Sequence, residues 1–161
     1  MTQITKRGRI EQYVPYKNNG TSCSISYGYK SLKGKENMGE WVIKTYNYIP
    51  TLSEIKKDIL AYYNTKIDEK ILTGMTWKNM QIWLSSENQF NYKAAYDLAI
   101  QTNGENLPLI FKFGTTENPI YYQFTDINEL KDFYLSTLNF IQNVLLEGWK
   151  EKDKINWENY K

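Results

Sequence analysis

Residues 107–148 read LPLIFKFGTTENPIYYQFTDINELKDFYLSTLNFIQNVLLEG, and this stretch decides the fold. Two runs of β-forming residues, LPLIFKFG and PIYYQFT, lie on either side of the polar loop TTEN, which predicts a β-hairpin. Asp126, followed three residues later by Glu129, predicts a capped helix start. Apolar side chains then recur every three or four residues until Gly148, where we expect the helix to end: Ile127, Leu130, Tyr134, Leu138, Ile141 and Leu145. Such a stripe must be buried, and an antiparallel sheet is the simplest surface to bury it against.

The same order of elements occurs earlier in the chain. The runs KILTGMTW and MQIWLS lie on either side of the turn-forming pair Lys78-Asn79 and predict a first hairpin. Ser86 and Gln89 have the spacing of a capping box and predict a helix whose apolar residues are Phe90, Ala94, Leu98 and Ala99. Upstream, EWVIKTYNYI predicts a strand, and TLSE starts a helix that we expect to run to about Thr65. The predicted fold class is α+β, an antiparallel sheet built from two hairpin-helix units with helices on one face.

Charge is distributed unevenly along the chain. Residues 1–35 carry seven basic side chains and one acidic side chain, whereas the remainder is net negative. Several glycines interrupt this first segment, and its aromatic residues are separated from one another by polar residues. We therefore predict an extended basic N-terminal arm over residues 1–39 and an α+β domain over residues 40–161. An arm of this kind should be dispensable for folding and become ordered on a partner.

The cations and tyrosines of the arm are candidate partner-docking residues, because Tyr and Arg are favoured as anchors in protein interfaces. They are Arg7, Arg9, Tyr13, Tyr16, Tyr27 and Tyr29. The same residue types also suit single-stranded nucleic acid, where rings stack on bases and cations neutralise phosphates. The positive charge is dilute compared with dedicated nucleic-acid binders, so docking to protein is the preferred interpretation.

Composition excludes most enzyme classes. The chain has 161 residues, a net charge of +2, no histidine and one cysteine, Cys23. These counts exclude a disulfide within the chain, a zinc knuckle and every His-dependent nucleophile. Asp126 is explained by helix capping and Glu117 by a solvated loop, so no carboxylate pair is predicted to act as acid and base. We expect no enzyme activity, no cofactor, no metal and no membrane partner.

Four motifs resemble a known family. LSSENQFNYKAAYDLAIQT (84–102), FKFGT (111–115), PIYYQF (119–124) and LLEGWKEKD (145–153) occur in the order found in an uncharacterised domain family of tailed-phage and prophage proteins. That family is often encoded at the end of tail-fibre or other virion-associated genes, notably in phages and prophages of gut Bacteroidales. The resemblance spans Trp41 to Tyr160 and carries no catalytic residues. The Asn-, Lys-, Tyr- and Ile-rich composition suits an AT-rich genome such as those of the crAss-like phages.

The resemblance implies a structural virion protein of a tailed phage, a decoration or fibre-associated component of the head or tail. We expect it in the virion, assembled in the host cytoplasm, with capsid, fibre or tail proteins as partners. The first alternative is a phage nucleic-acid-binding or regulatory protein that uses the basic arm, although nucleic acid is not an expected partner in the leading interpretation. The last alternative is a hydrolase with two catalytic carboxylates.

Self-association is expected from the length of the last helix, which should overhang a small sheet. The overhang would expose Ile141, Leu145 and Trp149 as an apolar patch, and such patches are normally covered by a partner. A second copy related by a two-fold axis is the commonest partner, so a homodimer is predicted, with a homotrimer as the alternative.

Overall fold

The computed structural model describes residues 2–161 and has the predicted α+β class, with three α-helices and antiparallel sheets among these residues. The chain divides into two compact units. The first comprises Met1–Asn64 and Glu151–Lys161, and the second comprises Thr65–Lys150. No helix of the described residues is long and apolar enough to cross a membrane.

The first unit contains a four-stranded antiparallel sheet with strand order β1-β4-β3-β2. Its strands are β1 (Thr2–Arg9), β2 (Tyr16–Asn18), β3 (Cys23–Ser31) and β4 (Met38–Tyr46). A short 3-10 helix, Ile10–Gln12, connects β1 to the segment before β2. Strand β1 pairs with β4 along its whole length, from Thr2 opposite Thr45 to Arg9 opposite Met38.

The extended arm is not confirmed, because residues 2–31 supply three of the four strands of this sheet. The boundary expected after Gly39 falls inside β4. The polar composition that predicted an arm is explained by the position of β1, because its residues Thr2–Thr5 are exposed at the edge of the sheet. An edge strand with both faces in water needs no apolar alternation, so its sequence does not differ from that of an unstructured segment.

One face of the sheet packs against α1 (Leu52–Leu72). The buried residues of this core are Cys23, Ile25, Tyr27, Val42, Tyr46, Ile55, Ile59 and Tyr160. The predicted capping box at the start of α1 is present: the Thr51 N–H donates to the Glu54 carboxylate at 2.7 Å, and the Glu54 N–H donates to the Thr51 hydroxyl at 3.3 Å. The helix continues past Thr65, where we expected its end, because no helix breaker occurs before Gly74, which has φ +76°.

The second unit contains the two predicted hairpins. They are formed by β5 (Met75–Trp77) with β6 (Met80–Ile82), and by β7 (Leu109–Gly114) with β8 (Pro119–Phe124). Lys78 and Asn79 both have positive φ, as a tight two-residue hairpin turn requires. Each hairpin is a separate two-stranded sheet rather than part of one continuous sheet. With three residues in each of β5 and β6, the first hairpin offers little edge for further pairing.

Helix α2 (Ser86–Gln101) buries only Ala99 of the predicted apolar residues, whereas Phe90 and Leu98 are exposed. Its cap is Ser85, whose hydroxyl accepts from the Asn88 N–H at 3.2 Å. Tyr92 and Ala99 are buried, whereas Phe90 is 71% exposed. The Tyr92 ring contacts Phe111 at a centroid distance of 5.0 Å, so burial of this ring determines which face of the helix turns inward.

Helix α3 (Ile127–Asp153) continues through Gly148, where the sequence predicted its end. A Cβ atom at Gly148 would lie 2.3 Å from the side-chain carbon Cδ1 of Ile67 on α1. Glycine at this position therefore allows the two helices to approach closely rather than ending one of them. The buried residues of α3 are Leu130, Phe133, Thr137 and Val144. Leu138, placed within the predicted buried stripe, is 38% exposed.

Candidate functional site

The two arginines among the predicted docking residues lie on the exposed edge strand β1. Arg7 reaches across to β4, where its Nε atom lies 2.5 Å from the carboxylate of Glu40. Arg9 is exposed at the end of β1. Both side chains remain accessible, but they are held by a paired strand rather than by a free arm.

The four predicted docking tyrosines belong to the packed first unit. Tyr27 is 2% exposed, and Tyr16 packs partly buried against the same core. Tyr13 and Tyr29 lie against Trp41, with ring centroids 5.8 and 6.2 Å away. The structure brings Tyr13, Tyr27 and Tyr29 together on the folded unit: Tyr27 is buried, whereas Tyr13 and Tyr29 are partly exposed.

These three tyrosines line a surface cavity of about 210 Å³, which we call the tyrosine pocket. Its lining residues are Tyr13, Tyr27, Gly28, Tyr29, Ile59, Tyr63, Glu151, Lys154, Ile155, Asn156, Asn159 and Tyr160. They come from β3, α1, the end of α3, the 3-10 helix Trp157–Tyr160, the segment before β2 that contains Tyr13, and the segment 154–156 after α3. All of them belong to the first unit.

Hydrogen bonds hold the tyrosines of the pocket in place. The hydroxyls of Tyr160 and Tyr13 both donate to the backbone carbonyl of Ser26, at 2.8 and 3.1 Å. The Tyr63 hydroxyl is hydrogen-bonded to the backbone of Gly28. Gly28 has φ +67° and lies at a β-bulge, where the register with β4 shifts. The bulge bends β3 at the cavity, and the fixed hydroxyls make the pocket a preformed cleft.

The pocket is uncharged overall at neutral pH. Burial raises the pKa of both Tyr27 and Tyr63 to about 12, and it also raises the pKa of Tyr160. The only charged residues among those lining the pocket are Glu151 and Lys154, which pair with each other at 2.6 Å. The pocket therefore presents aromatic rings, phenolic hydroxyls and the side-chain amides of Asn156 and Asn159 without net charge.

A second candidate surface lies in the second unit, between α2 and α3. We call it the α2–α3 groove, and its volume is about 220 Å³. It is lined by Gln89, Phe90, Lys93, Tyr134, Thr137, Leu138 and Ile141. Phe90 is among the most exposed apolar side chains of the described residues. A ring left in water beside an apolar depression is typical of a docking surface.

The predicted self-association residues follow one stripe of α3. Ile141 lines the α2–α3 groove, whereas Leu145 and Trp149 lie one and two helical turns beyond it. Trp149 is 47% exposed, and Leu145 is half-buried. The structure therefore places Ile141 at the candidate surface, whereas Leu145 and Trp149 are not among the residues that line the groove. The sequence places Phe90 in the apolar stripe of α2 because of its spacing with Ala94 and Leu98, but the structure leaves its ring exposed.

No group of three or more metal-ligating side chains that could hold a metal ion occurs among residues 2–161. In comparisons with known proteins, no family model, no curated protein and no solved structure matches this chain.

Proposed function

We propose that this chain is a structural protein of a tailed-phage virion, a decoration or fibre-associated component that docks to other virion proteins and to a second copy of itself. The virion assignment rests on the resemblance of four ordered motifs between Trp41 and Tyr160 to a virion-associated domain family. The docking assignment rests on the α2–α3 groove, and the 71% exposure of Phe90 beside it is the observation that carries it.

The groove supports self-association because it combines a projection and a depression on one surface. A two-fold interface brings the same patch of both copies together, so the patch must be complementary to itself. The exposed ring of Phe90 is the projection, and the depression is bounded by Leu138 and Ile141. In the proposed dimer, each copy inserts Phe90 into the groove of the other.

The charges beside the groove fit the same arrangement. Lys93 and Asp97 are paired one turn apart on the exposed side of α2, with 2.5 Å between Nζ and Oδ2. A patch that carries one cation and one anion side by side avoids like-charge repulsion when it meets its own copy. A surface with a single sign of charge would oppose self-association.

The alternative of nucleic-acid binding receives less support. Tyr27 is buried and cannot stack on a base, and Arg7 forms an ion pair with Glu40. A stacking platform needs exposed rings beside free cations.

Self-association is tested by light scattering on the purified chain at high micromolar concentration. We expect a dimer mass for the wild type and a monomer mass for Phe90→Glu, with unchanged circular dichroism. Ile110→Glu is the matched control, because Ile110 is 62% exposed on β7 and does not line the groove. A wild-type monomer contradicts the self-association proposal, and a trimer contradicts its two-fold geometry.

Virion membership is tested separately on purified particles of the phage that encodes the chain. We expect the protein to co-sediment with the particles in a fixed copy number relative to the capsid protein. Its absence from the particles would contradict the virion assignment, whatever the oligomeric state.

A further inference from the structure

We propose that the tyrosine pocket is a binding site for one neutral hydroxylated ring, a single sugar unit of a glycan. The proposal stands on the first unit alone and is independent of the proposed virion role and of the α2–α3 groove.

The size of the pocket limits its ligand. Sites for drug-sized molecules have volumes of roughly 300–1,000 Å³. The tyrosine pocket has about 210 Å³, which suits one small ring and excludes a nucleotide or an extended chain segment from lying wholly within it.

The charge of the pocket favours a neutral ligand over an ion. An anion would need an unpaired cation, but Lys154 is paired with Glu151. An organic cation would need an unpaired carboxylate beside the rings, and Glu151 is engaged by the same contact. A neutral ligand leaves the Glu151–Lys154 pair intact.

The polar groups of the pocket exclude a purely apolar ligand. Asn159 is exposed at the pocket and makes no side-chain hydrogen bond among the described residues, so its amide offers both donors and an acceptor. Asn156, which also lines the pocket, uses its carbonyl oxygen to accept from the Glu158 N–H at 3.1 Å, and its amide N–H groups remain as donors. A hydrocarbon would remove these groups from water without replacing their hydrogen bonds.

A sugar ring matches both sets of groups. Its C–H faces pack against tyrosine rings, and its hydroxyls both donate and accept. Tyr160 and Tyr13 are fixed by the Ser26 carbonyl, so their rings do not have to be ordered when the ligand binds. Tyr27 and Tyr160 are 2% and 6% exposed, so the accessible aromatic surface of the pocket comes from the partly buried rings of Tyr13, Tyr29 and Tyr63. The exposed side-chain amides of Asn156 and Asn159 complete the lining.

The test is a titration of the full ¹⁵N-labelled chain with D-glucose, D-galactose and N-acetyl-D-glucosamine, each followed by amide chemical shifts. We expect at least one sugar to give saturable shifts with a dissociation constant of about 1–10 mM, the strength of a single-ring contact. The shifted amides should include Gly28 and Asn159. Glycerol, a polyol without a ring, should give no saturable shift.

Two variants locate the site. Asn159→Leu should weaken binding about fivefold, the loss of one or two hydrogen bonds. Asn143→Leu, at an exposed position of α3 in the second unit, should leave binding unchanged. If the spectrum of Asn159→Leu shows a folding defect, Asn159→Ala carries the same expectation.

The proposal is overturned by no saturable shift with any of the three sugars, by equal binding of glycerol, or by shifts that map outside the pocket. It is also overturned if the two asparagine variants weaken binding equally.

Discussion

The Tyr160 hydroxyl donates a 2.8 Å hydrogen bond to the backbone carbonyl of Ser26, although 134 residues separate the two in sequence. Tyr160 is 6% exposed, and Ser26 lies in the middle of β3. The contact ties the 3-10 helix after α3 to the sheet formed by the first forty-six residues. The first unit is therefore assembled from two distant parts of the chain.

Removal of this hydroxyl tests the connection. We expect Tyr160→Phe to lower the free energy of unfolding by about 1 kcal/mol, because Tyr13 continues to donate to the same carbonyl. Tyr121→Phe is the control, since Tyr121 is 69% exposed and its hydroxyl has no partner among the described residues. Urea denaturation of the two variants measures the difference. Equal midpoints would contradict a stabilising role for the Tyr160 hydroxyl.

Deletion of residues 2–35 should unfold the first unit rather than release a dispensable arm. The deletion removes Cys23, Ile25 and Tyr27, each no more than 2% exposed in the core against α1. Loss of several fully buried side chains exceeds the stability that a small unit has available. Near-ultraviolet circular dichroism and amide hydrogen exchange report the loss of β4 protection. Native-like protection of β4 in the truncated chain would show that the prediction is wrong.

Sequence patterns predicted those elements whose signals are local. The turn at Lys78-Asn79, the second hairpin and the capping box of Thr51 and Glu54 depend on residues within a few positions of one another. The sequence predicted a strand at β4 but not the four-stranded sheet, because β1 has no apolar periodicity and pairs with residues of β4 that are 29 to 43 positions away. Strand pairing over that separation produces no pattern within a sequence window of about 11–18 residues.

The candidate site shows the same limit. Tyr13, Tyr27 and Tyr29 were predicted as docking residues from their residue type. The pocket that they line also includes Tyr63 and Asn159, and no sequence spacing relates these two residues to the other three. On α2, the sequence predicted an apolar stripe that includes Phe90, whereas the structure buries Tyr92. Tyr92 is buried by contact with Phe133, and this contact forms only in the folded chain.

Phe133 and Leu138 should respond in opposite ways to substitution. Phe133 is fully buried, with ring centroids of Trp77, Tyr92 and Phe113 at 5.0 to 5.2 Å. Phe133→Ala should cost about 3–5 kcal/mol of stability. Leu138→Asp should change the stability of the monomer by less than about 1 kcal/mol, because Leu138 is 38% exposed and a charge there remains hydrated. Thermal unfolding of both variants measures these changes in stability. If the Leu138→Asp variant showed no cooperative transition, Leu138 would belong to the core.

The last prediction concerns Asp58, which holds α1 to the sheet. Its carboxylate lies 2.6 Å from the Lys44 ammonium and accepts a short hydrogen bond from the Tyr46 hydroxyl. Burial alone would raise the pKa of Asp58, but the hydrogen bonds from Lys44 and Tyr46 and the positive charge of Lys44 outweigh it, so the pKa is lowered. The same carboxylate, together with burial, raises the pKa of Tyr46.

A lowered pKa in the folded state makes the contribution of Asp58 depend on pH. The stabilisation is fully present above the unfolded-state pKa of about 4 and is lost as the pH falls through the lower folded-state value. Asp58→Asn should therefore cost about 2 kcal/mol at pH 7, and the difference from wild type should shrink between pH 4 and pH 2. Asp68→Asn, at an exposed position of α1, should stay within about 0.5 kcal/mol of wild type at pH 7. Urea midpoints measured across this pH range test the linkage: a constant difference between wild type and Asp58→Asn from pH 7 to pH 2 would mean that the ion pair with Lys44 does not stabilise the first unit.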